Sequence, residues 1–81
     1  MINKFKINLN TVDKVKEFCT IASKIEADLD IIVGRYIIDA KSIMGIFSVD
    51  ISKDLILRIA SDDIDECNKI KEKLLKFIVE E

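Results

Sequence analysis

The chain has 81 residues, 49 % of them hydrophobic and 35 % charged. That is the balance of one folded domain with a modest core, too small to enclose an active-site cavern and too apolar to be disordered. Thirteen Lys and Arg against fifteen Asp and Glu leave a formal charge of −2 without a block of like charge, which argues against nucleic-acid binding, and the absence of any His excludes imidazole acid–base chemistry, His metal ligation and phosphohistidine.

Lys4 to Leu9 alternates Phe5, Ile7 and Leu9 with polar residues, the period of a strand with one buried face. Asn10 or Thr11 then caps a helix running from Val12 to Ile25, with Val12, Val15, Phe18, Cys19, Ala22 and Ile25 on its apolar side. Leu29 to Val33 and Tyr36 to Asp39 are β-branched runs separated by Gly34 and Arg35, the spacing of a tight hairpin. Ser42 stands as N-cap of a short helix within residues 42–49, on which Ile46 and Val49 are the core candidates. Leu55 to Ser61 reads as the last strand. Ser61, Asp62 and Asp63 supply caps for a final helix carrying Ile64, Cys67, Ile70, Leu74, Phe77 and Ile78 on one face, with Asp65–Lys69 and Glu72–Lys76 pairs on the other. The order β-α-β-β-α-β-α, with helices apolar on one side only, predicts a two-layer α/β sandwich: a four-stranded antiparallel sheet with its helices on one face.

With no Pro, two Gly and no repeat, the chain is expected to form a single domain over residues 1–81. No apolar stretch approaches the roughly 20 residues of a membrane span, and Met1 to Leu9 lacks a secretory pattern. A cytoplasmic location is therefore expected. Cys19 and Cys67 lack metal-ligand spacing and read as reduced, buried thiols. The acids Asp62, Asp63, Asp65 and Glu66 serve the helix start, so neither metal nor cofactor is expected. Lys69, Lys71, Lys73 and Lys76, interrupted by Glu72, form a solvated face rather than a nucleic-acid stripe.

Ala22-Ser23-Lys24-Ile25-Glu26-Ala27-Asp28-Leu29, together with Lys41-Ser42-Ile43-Met44-Gly45-Ile46-Phe47-Ser48 downstream, resembles HPr, the phosphocarrier family of the bacterial sugar phosphotransferase system. The resemblance spans roughly residues 3 to 78 and implies the open-faced β-sandwich of that family. HPr carriers accept a phosphoryl group on a His within His-x-Arg-Pro at the entrance of their first helix. At constant register those positions fall on Thr11, Asp13 and Lys14, and none of the three residue types is kept. A threonyl phosphate ester is not a high-energy donor, and a carboxylate in place of the Arg repels phosphate.

The family's regulatory serine, target of HPr kinase, is matched by Ser42, with Lys41, Ile43, Met44 and Gly45 as its neighbours. The resemblance implies that Lys41, Ile43, Met44 and Phe47 belong to a surface that docks protein partners such as HPr kinase or a catabolite-control regulator. The expectation is a non-enzymatic HPr-like module that binds proteins, with Ser42 as its switch. Two alternatives stand beside it: a phosphotransferase component with a non-histidine acceptor, for which Asp13 is the chemically competent residue, and an HPr fold turned to an unrelated partner.

Overall fold

A computed structural model describes residues 3–79; the ends of the domain expected over residues 1–81 lie outside them. Strands β1 (Lys4–Ile7), β2 (Leu29–Val33), β3 (Tyr36–Asp39) and β4 (Leu55–Ile59) form one antiparallel sheet in the order β1-β4-β2-β3. Helices α1 (Val12–Ala22), α2 (Ile43–Phe47) and α3 (Ile64–Lys73) complete an open-faced sandwich, and a 3-10 turn at Leu75–Phe77 follows α3. The β-α-β-β-α-β-α order read from periodicity is the one observed.

The alternation in the strands decides which face is covered. Ile7, Leu29, Ile31, Leu55, Leu57 and Ile59 are buried on one side of the sheet. Val15, Phe18 and Ala22 of α1, Ile46 of α2 and Cys67 and Ile70 of α3 are buried with them in a single core cluster, which Leu74 and Phe77 close. Phe18 and Phe77 meet edge to face, with ring centroids 5.5 Å apart and planes at 83°, the arrangement aromatic quadrupoles favour. Between β2 and β3, Gly34 has φ +58, a left-handed conformation that glycine adopts without steric cost.

Several boundaries and two faces differ from the sequence expectation. Helix α1 stops at Ala22 rather than Ile25, because the amides of Lys24 and Ile25 reach back three residues, to Ile21 and Ala22, and tighten its end. Val12 and Ile64 are 52 % and 56 % exposed instead of joining the core. Each is the first residue of its helix, and helical side chains lean toward the N-terminus, so these two lean past the helix end rather than onto the sheet. Ile78 lies beyond α3 and bridges Ile7, while Asn8 N–H bonds to the Phe77 carbonyl and Val79 N–H to the Lys6 carbonyl. The C-terminal segment thus covers the free side of β1 and leaves β3 as the open edge among the described residues. Lys76, expected to pair with Glu72, instead bridges α3's end to Glu17 of α1.

Candidate functional site

Thr11 precedes α1 in an extended conformation, and its Oγ1 accepts the Lys14 amide at 3.1 Å. That bond answers one of the unpaired N–H groups every helix start presents. Asp13 sits exposed in the same turn, where a carboxylate is favoured by the helix dipole and disfavours an incoming anion. The entrance of α1 is therefore built as a capped helix terminus with its negative charge already supplied.

The second position lies at α2. Ser42 is the N-cap, with its Oγ accepting the Gly45 amide at 3.2 Å and its carbonyl accepting Ile46 N–H at 3.0 Å. Just before it, the Lys41 amide donates to Asp39 Oδ1 at 2.9 Å, and its half-buried ammonium reaches the Ile25 carbonyl at 2.5 Å. Lys41 thereby ties the β3–α2 turn to the segment that follows α1. The five-residue helix divides its apolar side chains sharply. Ile46 is fully buried, Ile43 half-buried against the core, Met44 77 % exposed and Phe47 39 % exposed. Met44 and Phe47 are three residues apart and share a side of the helix. A Cβ at position 45 would lie 2.8 Å from Ile38 Cγ2, so any side chain there requires its surroundings to shift. α1 and α2 pack against one another, so the two positions belong to neighbouring elements.

A groove of about 490 Å³ lies beside α2, lined by Val33, Tyr36, Ile37, Ile38, Ser48, Val49 and Asp50. Tyr36 and Ile37 there are 67 % and 60 % exposed. In the sequence these two residues read simply as part of a strand. The missing signal was position in the sheet: a hydrophobic run looks the same on a central strand and on an edge strand.

Both thiols are pushed up by burial, and at Cys67 the carboxylates of Glu66 and Asp63 add to the effect. Cys67 is fully buried and Sγ contacts the Ser61 carbonyl at 3.5 Å. This is opposite to the depressed value that makes a nucleophilic thiolate. Among the described residues no three His, Cys, Asp or Glu side chains gather to hold a metal ion, and no helix is long and apolar enough to cross a membrane. The geometry sets a capped hydroxyl, that of Ser42, next to an exposed apolar surface.

Comparison with solved structures gives the fold its relatives. HPr-C-His from Thermoanaerobacter tengcongensis superposes with a TM-score of 0.69 at 25 % identity over 90 % of each chain. The histidine-containing phosphocarrier protein of a mycoplasma superposes with a TM-score of 0.67 at 20 % identity, over 90 % of this chain and 92 % of the other. No family model matches the sequence, and no curated protein matches it. The chain has an HPr-like fold.

Proposed function

We propose that this HPr-like, phosphocarrier-related chain is a non-enzymatic binding module that docks partner proteins through the outer side of α2, with phosphorylation of Ser42 as its switch. The observation that supports this reading is the 77 % exposure of Met44 beside Phe47 on a helix whose remaining apolar residues are drawn inward. Exposed Met and aromatic side chains are what protein interfaces favour. Ile43 forms the floor of the patch, and Lys41 holds its shape by fixing the turn against Ile25. A relay through α1 has no imidazole to use, and Thr11 cannot replace it because a phosphate ester is too poor a donor.

A phosphate on Ser42 adds about −1.5 to −2 charge at the margin of the apolar patch. It changes what the patch accepts, with little demand on the core beneath. HPr kinase is the modifying enzyme this reading calls for, and a phospho-dependent catabolite-control regulator the partner, both in the cytoplasm. The test is intact mass after incubation with HPr kinase and ATP, beside a Ser42→Ala control. One added phosphate, absent from the control, is expected; an unmodified protein would remove the switch. Met44→Asp is expected to fold normally and lose capture of the regulator, and undiminished capture would remove the patch.

A further inference from the structure

The sheet face turned away from the helices carries two rows of side chains fixed by strand register. Lys4, Arg58, Asp30 and Asp39 stand side by side across β1, β4, β2 and β3, and Lys6, Ile56, Ile32 and Ile37 form the row alongside. Both rows point away from the core, because residues alternating with them, Leu29, Ile31, Leu55 and Leu57, are the buried ones, and successive strand side chains point to opposite faces. The isoleucines are left partly open to solvent, Ile37 at 60 % exposure. Arg58 bridges Asp30 at 2.9 Å. Read from one edge of the sheet to the other, the charged row runs positive, positive, negative, negative.

Such a row is its own complement. We propose that two copies of this chain associate weakly through these open faces, about a two-fold axis parallel to the strands and passing between β4 and β2. That rotation lays β1 over the partner's β3, so Lys4 meets the partner's Asp39 and Arg58 meets the partner's Asp30. Ile56 then covers the partner's Ile32, and the stem of Lys6 covers the partner's Ile37. The stacked sheets keep their strands aligned, as face-to-face sheets do. The second copy is favoured over an unrelated protein because the charge pattern matches itself without adjustment. This reading does not use Met44 or Phe47, which lie in the other layer; Asp39 Oδ1 accepts the Lys41 amide, which leaves its second carboxylate oxygen for the partner.

The face is small. Four strands about 4.8 Å apart and some five residues long give a footprint of roughly 300 Å², below the ~800 Å² per partner typical of stable complexes. Association therefore belongs to high concentration and low salt. Sedimentation equilibrium of the full chain is expected to show the monomer mass at about 10 μM and a mass approaching double that at about 1 mM. Lys4→Asp and Asp39→Lys, each set beside a like charge in a homodimer, are expected to stay monomeric at the higher concentration. Their equimolar mixture is expected to recover the dimer, because each variant then meets the opposite charge on both sides. Within one chain these two positions stand three strand spacings apart, about 14 Å, so rescue reports an intermolecular pairing. Ile37→Arg provides a variant that leaves the charged row intact and is expected to abolish association. Circular dichroism checks folding of all three. A monomeric wild type at the higher concentration, single variants that associate like wild type, or a mixture that stays monomeric would each overturn the proposal.

Discussion

A Cβ at position 45 would stand 2.8 Å from Ile38 Cγ2, and one at position 34 would meet nothing within 4 Å. The two glycines thus answer different demands, space at Gly45 and a positive φ of 58 at Gly34. Alanine gains up to about 1 kcal/mol over glycine in a helix, but overpacking costs typically about 1–3 kcal/mol. The methyl of Ile38 sits on its branched carbon and cannot swing aside, so Gly45→Ala is expected to destabilise. Adding Ile38→Ala removes the clash, and a double-mutant cycle by urea unfolding is expected to show a favourable coupling between the two changes. Additive losses would mean that the contact is not the constraint. At Gly34, Asn is expected to be tolerated better than Val, because only Asn visits the left-handed region readily. Cys67 gives a prediction in pH. Its thiol is raised above the ordinary value by burial, so as pH rises the unfolded chain loses this proton first and the folded chain keeps it. The folded state then binds more protons, and stability falls as pH climbs through the ordinary thiol range. In urea midpoints measured across that range, Cys67→Ala is expected to be less stable overall but to fall less steeply; an unchanged slope would assign the pH dependence elsewhere.

Each helix is started by a side chain that accepts backbone amides: Thr11 for α1, Ser42 for α2 and Asp63 for α3. Asp63 Oδ1 takes two amides, those of Asp65 at 2.9 Å and Glu66 at 3.3 Å, and also places a negative charge at the dipole's positive end. Ser42 takes one at 3.2 Å. Alanine at a cap costs about 0.5–2 kcal/mol, so Asp63→Ala is expected near the upper end and Ser42→Ala near the lower. Thermal unfolding of both variants checks the order; a larger loss at Ser42 would mean that its role in the turn exceeds that of a cap. A modest loss at Ser42→Ala also keeps it usable as the folded control for phosphorylation. These helix starts were legible in the sequence because a cap acts on residues only two or three positions away. Helix ends were less so. With no Pro in the chain and no Gly in the residues that immediately follow α1 or α3, nothing local marks Ala22 or Lys73 as a terminus, and the ends are set by where Ile25 and Phe77 must point to stay buried.

At the scale of the molecule, periodicity identified the buried residues of β2 and β4 but not their neighbours. The order β1-β4-β2-β3 is seen only in the structure, because alternation fixes a face and says nothing about which strand lies beside it. The placement of β3 at the edge, the bridging of Ile7 by Ile78 and the isoleucine row on the open face all depend on that order. The cap at Ser42 and the burial of Ile46, by contrast, were legible from residues close in sequence, while the exposure of Val12 and the groove beside Tyr36 were not. The same distinction between contact and location separates two links that join α1 to the C-terminal segment. Lys76–Glu17 joins them by charge with side chains 56 % and 47 % exposed, and exposed pairs contribute about 0–1 kcal/mol after solvent screening. Phe18 and Phe77 join them by packing, at 0 % and 3 % exposure. Phe→Ala in a core costs about 3–5 kcal/mol, against a total of roughly 4–12 kcal/mol for a domain of this size at ~0.05–0.15 kcal/mol per residue. Phe18→Ala is therefore expected to remove much of the stability and to leave a measurable unfolded fraction without denaturant. Phe18→Leu, which refills most of the space, is expected to lose less, and Lys76→Ala to shift the urea midpoint barely at all. A Lys76→Ala loss comparable to that of Phe18→Ala would place the junction at the surface instead of in the core.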